Sequence, residues 1–478
     1  MQWFVVAMIC FLPLHIIAVM LDEWATRPPL PLGDGPDYEA IGFCLSRGEG
    51  WSYAYSDQEW RSAYEQATRD ESTLSYAIQL ARRGPTTPDT NRPPLLPLCI
   101  ATIYQFLPRG PIAFAAVRIW LACCLSIGCA MSVAWGVWLA DSNEVSRRPM
   151  FRNAIAVCVI LWVFSERNLR NYAIDFLTEP MALAVTQIFL VVAWVGVRKG
   201  TWRWAIATGG LFAGMYFCRA LFILWIPLLA VWLWILCRIE SADPAAVLET
   251  RSTRGKPLPW TAICLLSFGV ISSGWWIRNC FVLGDFQPLG TKGPTTLIGG
   301  YCDDSIRESG EWVSAPEKEL RAELEAAVDW QQVTSMELLS LEKEIGLKAK
   351  EQVTHWIKSN LRSLPSLFVQ RIVNEWNPYH GKALVLKLLA VVGVLWLAVY
   401  HRIALLWLLG PLAFNTLVAM ATYSAGGRFL VPTYGCLYIL AAFGMAAILT
   451  RLLGSLAIKD FLDRVDRSGA SRASDGRG

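Results

Sequence analysis

A short loop near the start of the chain carries two carboxylates that a membrane segment does not need for its own stability. The loop Gly33-Asp34-Gly35-Pro36-Asp37-Tyr38 follows the first hydrophobic segment. At a partly dehydrated site, a carboxylate accepts a proton from a hydroxyl group and acts as a general base. Asp37 directly precedes the helical run that begins at Tyr38, which predicts a helix N-cap and at most a supporting role in the site. Asp34 has no such structural role, so we predict that Asp34 is the catalytic base.

Four arginines recur at positions that suit a phosphate group. Arg92 precedes Pro93-Pro94, Arg219 separates two apolar runs, Arg278 follows Trp275-Trp276-Ile277, and Arg428 follows Ala425-Gly426-Gly427. Planar guanidinium groups match the oxygens of phosphate. A single arginine of this kind is equally compatible with a side chain that reaches toward lipid headgroups. Several of them on one face with a carboxylate loop are not expected by chance, so we predict a phosphate site beside the carboxylates.

Three further ionisable residues are supporting candidates. Glu179 opens a predicted helix directly before Pro180, where a favourable interaction with the helix dipole and a role in the site explain it equally well. Lys292 and His380 belong to a hydrophilic segment that adjoins the predicted spans. His380 is the only well-placed histidine, so a divalent metal stays open and no metal ligands are assigned.

The composition places these residues on a membrane protein. Hydrophobic residues make up 54% of the 478 residues and charged residues only 17%, whereas soluble domains average about 25% charged residues. The net charge of +4 is no argument for nucleic acid binding, because the basic residues follow the topology. The thirteen cysteines form no CxxC pair. Cys44, Cys280 and Cys302 fall outside the hydrophobic segments, and pairing among them stays open.

Ten hydrophobic segments have the length and character of membrane spans. The clear ones are Trp3–Met20, Ile119–Ala140, Pro180–Val197, Leu221–Cys237, Leu258–Ile277, Ile403–Tyr423 and Phe429–Thr450; Ala154–Phe164, Ala205–Phe217 and Ala383–Tyr400 are shorter or carry a charge. The segment Pro94–Leu107 predicts a helix at the membrane interface. The sequence therefore predicts an all-α polytopic membrane protein with about ten spans, and with eleven to thirteen as the alternative.

The distribution of basic residues predicts the orientation. With ten spans and the N-terminus inside, the predicted cytoplasmic segments hold seventeen Lys and Arg, and the short loops on the other side hold four. An excess of Lys and Arg marks cytoplasmic loops. We therefore expect an integral protein of the cytoplasmic membrane, with its candidate site on the extracytoplasmic face.

The span pattern divides the chain into six parts. They are a first transmembrane helix (1–20), a first outer loop with the acid and interfacial helices (21–110), a transmembrane core (111–277), an outer helical loop (278–382), C-terminal transmembrane helices (383–450) and a cytoplasmic, largely disordered tail (451–478). Within the outer helical loop, Pro316–Gln332 and Met336–Lys358 have the periodicity of amphipathic helices.

A carboxylate base with several arginines at the outer leaflet indicates a lipid-linked phosphate substrate. The chain has no phosphate-binding loop of the Walker type, no dinucleotide-binding glycine motif, no HExxH and no kinase signature. A donor that carries its phosphate on a membrane lipid needs no nucleotide supply outside the cell.

The order of these motifs resembles the integral-membrane glycosyltransferases of the GT-C fold. The motifs are Asp34 to Tyr38, Arg92 to Leu95, Thr178 to Pro180, the lone Arg219, Trp275 to Asn279 and Gly427 to Pro432. The chain is most similar to the dolichyl-phosphate-mannose protein mannosyltransferases and the lipid A aminoarabinose transferases, up to about residue 450.

The resemblance implies transfer of a sugar from a polyprenyl-phosphate donor to an unidentified acceptor, with inversion at the anomeric carbon. It implies that Asp34 orients or deprotonates the acceptor, and that Arg92 and Tyr38 contact the donor phosphate. We expect Arg219 and Arg278 to join them. The chain departs from the family at Asn91, where the aminoarabinose transferases often have an acid, and at Ala220, where a proline is common. We also expect no counterpart of their bulkier C-terminal outer domain.

Two other functions fit parts of the sequence. An outer-face glycan polymerase or ligase also has many spans, but its key arginines and histidine usually lie in a large outer loop, and here that loop is rich in acidic residues. A transporter or lipid flippase tends to have internal repeats and charges near the membrane midplane, whereas these charges gather at one rim.

Overall fold

The computed structural model describes residues 2–31, 33–67, 85–89, 91–142, 149–166, 168–242, 257–330, 332–377 and 381–452. Its elements in chain order are α1 (Gln2–Met20), α2 (Gly35–Ser46), β1 (Ser52–Tyr53), α3 (Gln58–Ala67), β2 (Thr87–Pro88), α4 (Leu95–Phe106), α5 (Pro111–Asp141), α6 (Pro149–Ser165), α7 (Asn168–Ile174), α8 (Glu179–Lys199) and α9 (Trp202–Cys218). A 3-10 helix (Ala220–Trp225) leads into α10 (Ile226–Ala242), followed by α11 (Pro257–Leu283), α12 (Lys292–Gly300), α13 (Asp303–Arg307), α14 (Ala315–Glu325), α15 (Ser335–Ser359), α16 (Leu364–Trp376), α17 (Gly381–Tyr400) and α18 (Arg402–Ala421). The last span, Val431–Leu452, opens with a 3-10 turn over Val431–Thr433.

The protein is an all-α polytopic membrane protein. Within the described ranges, eight helices are long and apolar enough to cross a membrane, or nine if the bent pair of α6 and α7 forms one span. All seven clear predicted spans coincide with helices of this kind, and so does Ala383–Tyr400. The predicted span Ala205–Phe217 forms α9, a helix of 17 residues that is not among the eight.

The bundle is held together by a continuous hydrophobic core. Helix α5 packs against α1 and α8, and α9 packs between α8 and α11. Gly209 brings α9 close to α11, because a side chain there would overlap the carbonyl oxygen of Cys264. Small residues at helix contacts let the backbones approach closely in membrane proteins. This close packing explains how a short helix such as α9 is accommodated inside the bundle.

The hydrophilic segment after α11 forms a compact helical unit with a small core of its own. Leu320 of α14, Ile345 and Val353 of α15 and Leu367 of α16 are buried against Ile298 of α12. The predicted helix Met336–Lys358 is confirmed as α15, whose first turn is closed by a capping box between Thr334 and Glu337. The predicted helix Pro316–Gln332 ends early, at Glu325, because the chain must reverse direction before that cap.

The helical character of the predicted interfacial segment is confirmed, and the helix that carries Arg278 is longer than predicted. The predicted interfacial segment is helical over Leu95–Phe106. The helix predicted to end at Ile277 continues to Leu283, so Arg278 belongs to α11. Cys44, Cys280 and Cys302 are free thiols. His380 and residues 453–478 of the predicted tail lie outside the described residues.

One prediction concerns the contact between α17 and the last span. A side chain at Gly393 would overlap the carbonyl oxygen of Leu440, and one at Gly444 would overlap that of Leu389. We expect Gly393→Ala and Gly444→Ala to lower the unfolding temperature by several degrees, since overpacking costs about 1–3 kcal/mol. Gly269→Ala in α11 is the matched control, because its added methyl group would meet no atom within 4 Å. Equal unfolding temperatures for all three variants in lipid nanodiscs would contradict this packing.

Candidate functional site

A cavity of about 630 Å³ collects most of the predicted site residues. The start of α2, the junction between α9 and the 3-10 helix, the start of α12 and the segment 421–429 surround it. Its polar lining includes Asp34, Tyr38, Arg92, Arg219, Lys292 and Arg428, and its apolar lining includes Leu221, Leu224 and Leu289. The cavity therefore pairs a charged wall with a wall that suits hydrocarbon.

Asp34 owes its position to the two glycines beside it. Gly33 has a φ of 81°, a left-handed conformation that glycine adopts without strain. A side chain at Gly35 would overlap the carbonyl oxygen of Asp175, so only glycine allows the start of α2 to pack against this turn. Asp34 occupies the N-cap position of α2, but its side chain makes no capping hydrogen bond.

The carboxylate of Asp34 faces three cations instead. Its Oδ1 lies 2.8 Å from Nη1 of Arg92 and 3.7 Å from Nζ of Lys292, and its Oδ2 lies 3.3 Å from Nη2 of Arg428. Burial alone would raise the pKa of Asp34, but the positive charges of these three residues hold the pKa well below its usual value. Asp34 is therefore ionised at neutral pH.

The predicted N-cap role of Asp37 is wrong. Helix α2 begins at Gly35, so Asp37 lies in its first turn, and its side chain is drawn to partners outside the helix. Nε of Arg92 donates to Asp37 at 2.9 Å, and the hydroxyl of Tyr55 donates to it as well. Asp37 thus orients Arg92 toward Asp34.

Arg92 is buried among these acids and beside an aromatic ring. Its side chain is only 8% exposed, and its guanidinium group lies 5.4 Å from the ring centre of Tyr38. Asp89 fixes the backbone, because it accepts from the amides of Asn91 at 2.8 Å and Arg92 at 3.1 Å. Burial raises the pKa of Tyr38, so its hydroxyl stays protonated.

Glu179 forms a second centre of charge in the same wall. Its side chain is fully buried, 3.5 Å from Nη1 of Arg219 and in contact with Nε of Arg428. Arg219 also donates to the carbonyl of Arg428 at 3.1 Å and lies over the ring of Phe429. Within the described residues, Oε2 of Glu179 has no hydrogen-bond partner. Arg428 therefore connects Asp34 and Glu179.

Arg278 is not brought to this cavity. Its guanidinium group donates to the carbonyls of Asp89 and Trp51 and to the side chain of Asn279, and its cation lies 5.1 Å from the ring centre of Trp275. These contacts join α11 to the two-stranded sheet, in which Ser52 pairs with Pro88 and Tyr53 with Thr87.

Glu375 of α16 is a structural determinant of the site that the sequence did not indicate. It is almost fully buried and accepts from the amides of Phe429 at 2.7 Å and Ala425 at 3.0 Å and from the hydroxyl of Ser424 at 3.1 Å. The Gly426-Gly427 pair, with φ of 61° and 89°, marks this turn in the sequence, but nothing marks its acceptor fifty residues earlier. Glu375 holds the turn that presents Arg428 to the cavity.

The opposite edge of the cavity also carries residues without a sequence signal. Glu311, Trp312 and Tyr423 line it, and Glu311 forms an isolated parallel bridge with Ser424. Among the described residues, no group of three or more His, Cys, Asp or Glu side chains is arranged to hold a metal ion.

Comparisons with protein families, curated proteins and solved structures find no match to this chain. The arguments for its function are therefore its own residues and their geometry.

Replacing Glu375 tests whether this carboxylate holds the turn that carries Arg428. Glu375→Gln keeps the shape of the side chain but turns one acceptor into a donor that faces other donors. Hydrogen bonds to a charged group contribute about 1.5–3 kcal/mol each, so we expect amide hydrogen exchange over 422–430 to accelerate roughly 10- to 100-fold. Glu323→Gln, whose side chain is 68% exposed, is the matched control. Unchanged exchange in Glu375→Gln would show that the loop holds its position without this carboxylate.

Asp175 makes the free energy of unfolding depend on pH. Burial raises its pKa to about 6, and its Oδ1 has no partner among the described residues. Because the folded state keeps the proton that the unfolded state loses, the free energy of unfolding falls as pH rises from about 4 to about 6. We expect Asp175→Asn to be more stable than the wild type above pH 6, by up to about 2 kcal/mol, and to match it below pH 4. Thermal unfolding across this range checks the sign, and a destabilised variant at pH 8 would contradict it.

Proposed function

We propose that this chain is a membrane glycosyltransferase that moves a sugar from a polyprenyl-phosphate donor to an acceptor on the extracytoplasmic face of the cytoplasmic membrane. The observation that carries the proposal is the surroundings of Asp34. A carboxylate shared by three cations adjoins an apolar wall in one cavity, and such a cavity suits a phosphate attached to a lipid. The bias of Lys and Arg in the short loops supports the orientation.

In this proposal the donor phosphate binds where cations line the cavity. Lys292, Arg219 and Arg428 have the most accessible positions, since their side chains are 34%, 14% and 31% exposed. Arg92 and the protonated hydroxyl of Tyr38 complete the set, and Arg92 also holds Asp34. Arg278 has no part in it, because its donors are occupied elsewhere. The prenyl chain follows the apolar wall of Leu221 and Leu224.

The reaction is a single displacement. The acceptor oxygen forms a bond to the anomeric carbon, the bond from that carbon to the phosphate oxygen breaks, and the polyprenyl phosphate leaves with the electron pair. The cations stabilise the charge that develops on the leaving phosphate. The acceptor proton passes to Asp34, and the configuration at the anomeric carbon is inverted.

The low pKa of Asp34 fits this sequence of events. In the free site its cations make it a weak base. The negatively charged phosphodiester of a bound donor competes for Lys292 and Arg428, which weakens their attraction to Asp34 and raises its pKa. The base is thus strengthened when the donor is in place, and a water molecule in the empty site is not activated.

The test is transfer by Asp34→Asn in lipid nanodiscs, with a panel of radiolabelled polyprenyl-phosphate sugars and wild-type membrane extract as the acceptor source. We expect at least a roughly 100-fold loss of transfer, the scale of general-base catalysis, with donor affinity within a few-fold of wild type. Asp304→Asn is the control and should keep full activity, because the Asp304 side chain is 47% exposed and does not line the cavity. Near-normal transfer by Asp34→Asn would refute the assignment of the base.

A further inference from the structure

A second cavity, of about 460 Å³, adjoins the first one through the turn 424–430. Ser424, Ala425 and Arg428 line the first cavity, whereas Gly426, Gly427 and Leu430 line the second. The volume lies within the roughly 300–1,000 Å³ of small-molecule sites. None of the residues considered so far as catalytic or phosphate-binding lines this second cavity.

Besides several leucines, aromatic rings from four helices line its wall. They are Trp162 of α6, Tyr172 of α7, Trp376 of α16, and Tyr434 and Tyr438, one turn apart in the last span. The rings of Tyr434 and Tyr438 are 5.8 Å apart and inclined by 56°. The indole nitrogen of Trp376 donates to Thr416 at 3.0 Å, which fixes that ring. Electron-rich ring faces attract the weakly positive C–H faces of a sugar ring.

Polar groups converge on the same space. The hydroxyl of Tyr438 is buried and has no hydrogen-bond partner among the described residues, although its side chain lines the cavity. An unsatisfied buried hydroxyl costs about 1–3 kcal/mol, which a bound partner would recover. Glu166 and Asn168 stand at the exposed or half-buried edge, where they are able to bind further hydroxyl groups.

The charges in this cavity favour a neutral ligand. The oxygens of Glu375 are occupied by the turn that they hold. Lys387 donates to the carbonyl of Asn377 at 2.7 Å, and it contributes one positive charge to a lining that also holds the carboxylate of Glu166. A phosphate would meet two carboxylates here, and an ammonium ion would meet the ammonium group of Lys387. Fixed rings with scattered hydrogen-bonding groups also disfavour an acyl chain.

We propose that this second cavity binds a neutral saccharide, and that the acceptor of the transfer is therefore a glycan. The assignment as acceptor rests on the proposed function, whereas the binding of a saccharide does not. Its sugar ring packs on the half-buried rings of Tyr434 and Trp376, and one hydroxyl pairs with that of Tyr438. The shared turn then places the bound glycan next to the wall that carries Arg428 and faces Asp34.

Binding is tested without any donor, so that the result does not depend on catalysis. The full chain is placed in lipid nanodiscs, because maltoside detergents carry saccharide headgroups of their own. The probes are neutral oligosaccharides of two to four hexose or N-acetylhexosamine units, observed by saturation-transfer NMR. We expect transfer to the C–H protons of one sugar face in the wild type and in Asp34→Asn alike.

Two conservative variants locate the site. Tyr438→Phe removes only a hydroxyl that has no described partner, and Glu166→Gln changes a side chain at the edge, so both should fold. We expect each to weaken binding about 5- to 20-fold, the scale of one hydrogen bond. Tyr400→Phe, at a residue that does not line the cavity and is 43% exposed, is the matched control.

Three results would overturn the proposal. They are the absence of saccharide binding to wild-type protein, equal binding by Tyr438→Phe, Glu166→Gln and wild type, and binding of tetramethylammonium or free fatty acid in place of any saccharide. If saccharides bind as expected but do not accept sugar in the nanodisc transfer assay, the binding site stands and the acceptor assignment fails. Near-normal transfer by Asp34→Asn with unchanged saccharide binding would refute the catalytic base and leave the binding site standing.

Discussion

The guanidinium group of Arg428 is the contact on which the site depends. It contacts Glu179 at the start of α8 and lies 3.3 Å from Asp34 ahead of α2. Three segments that are far apart in sequence thus meet at one side chain. The contacts of Arg92, Arg219 and Lys292 extend the same network, so the positions of these three cations are linked to the turn that carries Arg428.

Such a network is costly to bury. Removing two charges from water costs several kcal/mol per ion, and their attraction repays it only with good geometry. The neighbourhood of Glu179 illustrates the balance, since one oxygen has cationic partners and the other has none described. Well-packed apolar residues would often stabilise a fold at least as well. The network contains seven charged side chains, those of Asp34, Asp37, Arg92, Glu179, Arg219, Lys292 and Arg428. Their presence together is therefore better explained by chemistry than by stability.

Much of the bundle was predictable, because hydrophobic length is a local property. Spans such as Pro180–Val197 are predicted from eighteen consecutive residues, and the bounds agree closely with Glu179–Lys199. The grouping of Asp34, Arg92, Arg219 and Arg428 was also predictable, because topology assigns them to one end of the bundle. The sequence predicted the start of α2 three residues too late. Asp37 is a good N-cap residue, but its side chain accepts a hydrogen bond from Arg92 instead.

The features that the sequence did not predict share a physical origin in long-range contacts. Arg278 has the same sequence signature as a phosphate-binding arginine, and only the fold shows that backbone carbonyls from residues 51 and 89 occupy it. Glu375 lies in an amphipathic helix whose periodicity gives no sign of the turn that it holds. The second cavity is likewise not predictable from the sequence, because its aromatic rings come from four separate helices.

The contacts of Glu179 also impose an order on biosynthesis. Its helix α8 is made well before Arg219 and long before Arg428, so for much of translation this buried carboxylate has neither of its cationic partners. Until Arg428 is in place, this carboxylate cannot be buried as it is in the folded bundle, because an unpaired charge is not tolerated in an apolar interior. Insertion of the final helices therefore completes both the bundle and its charge balance.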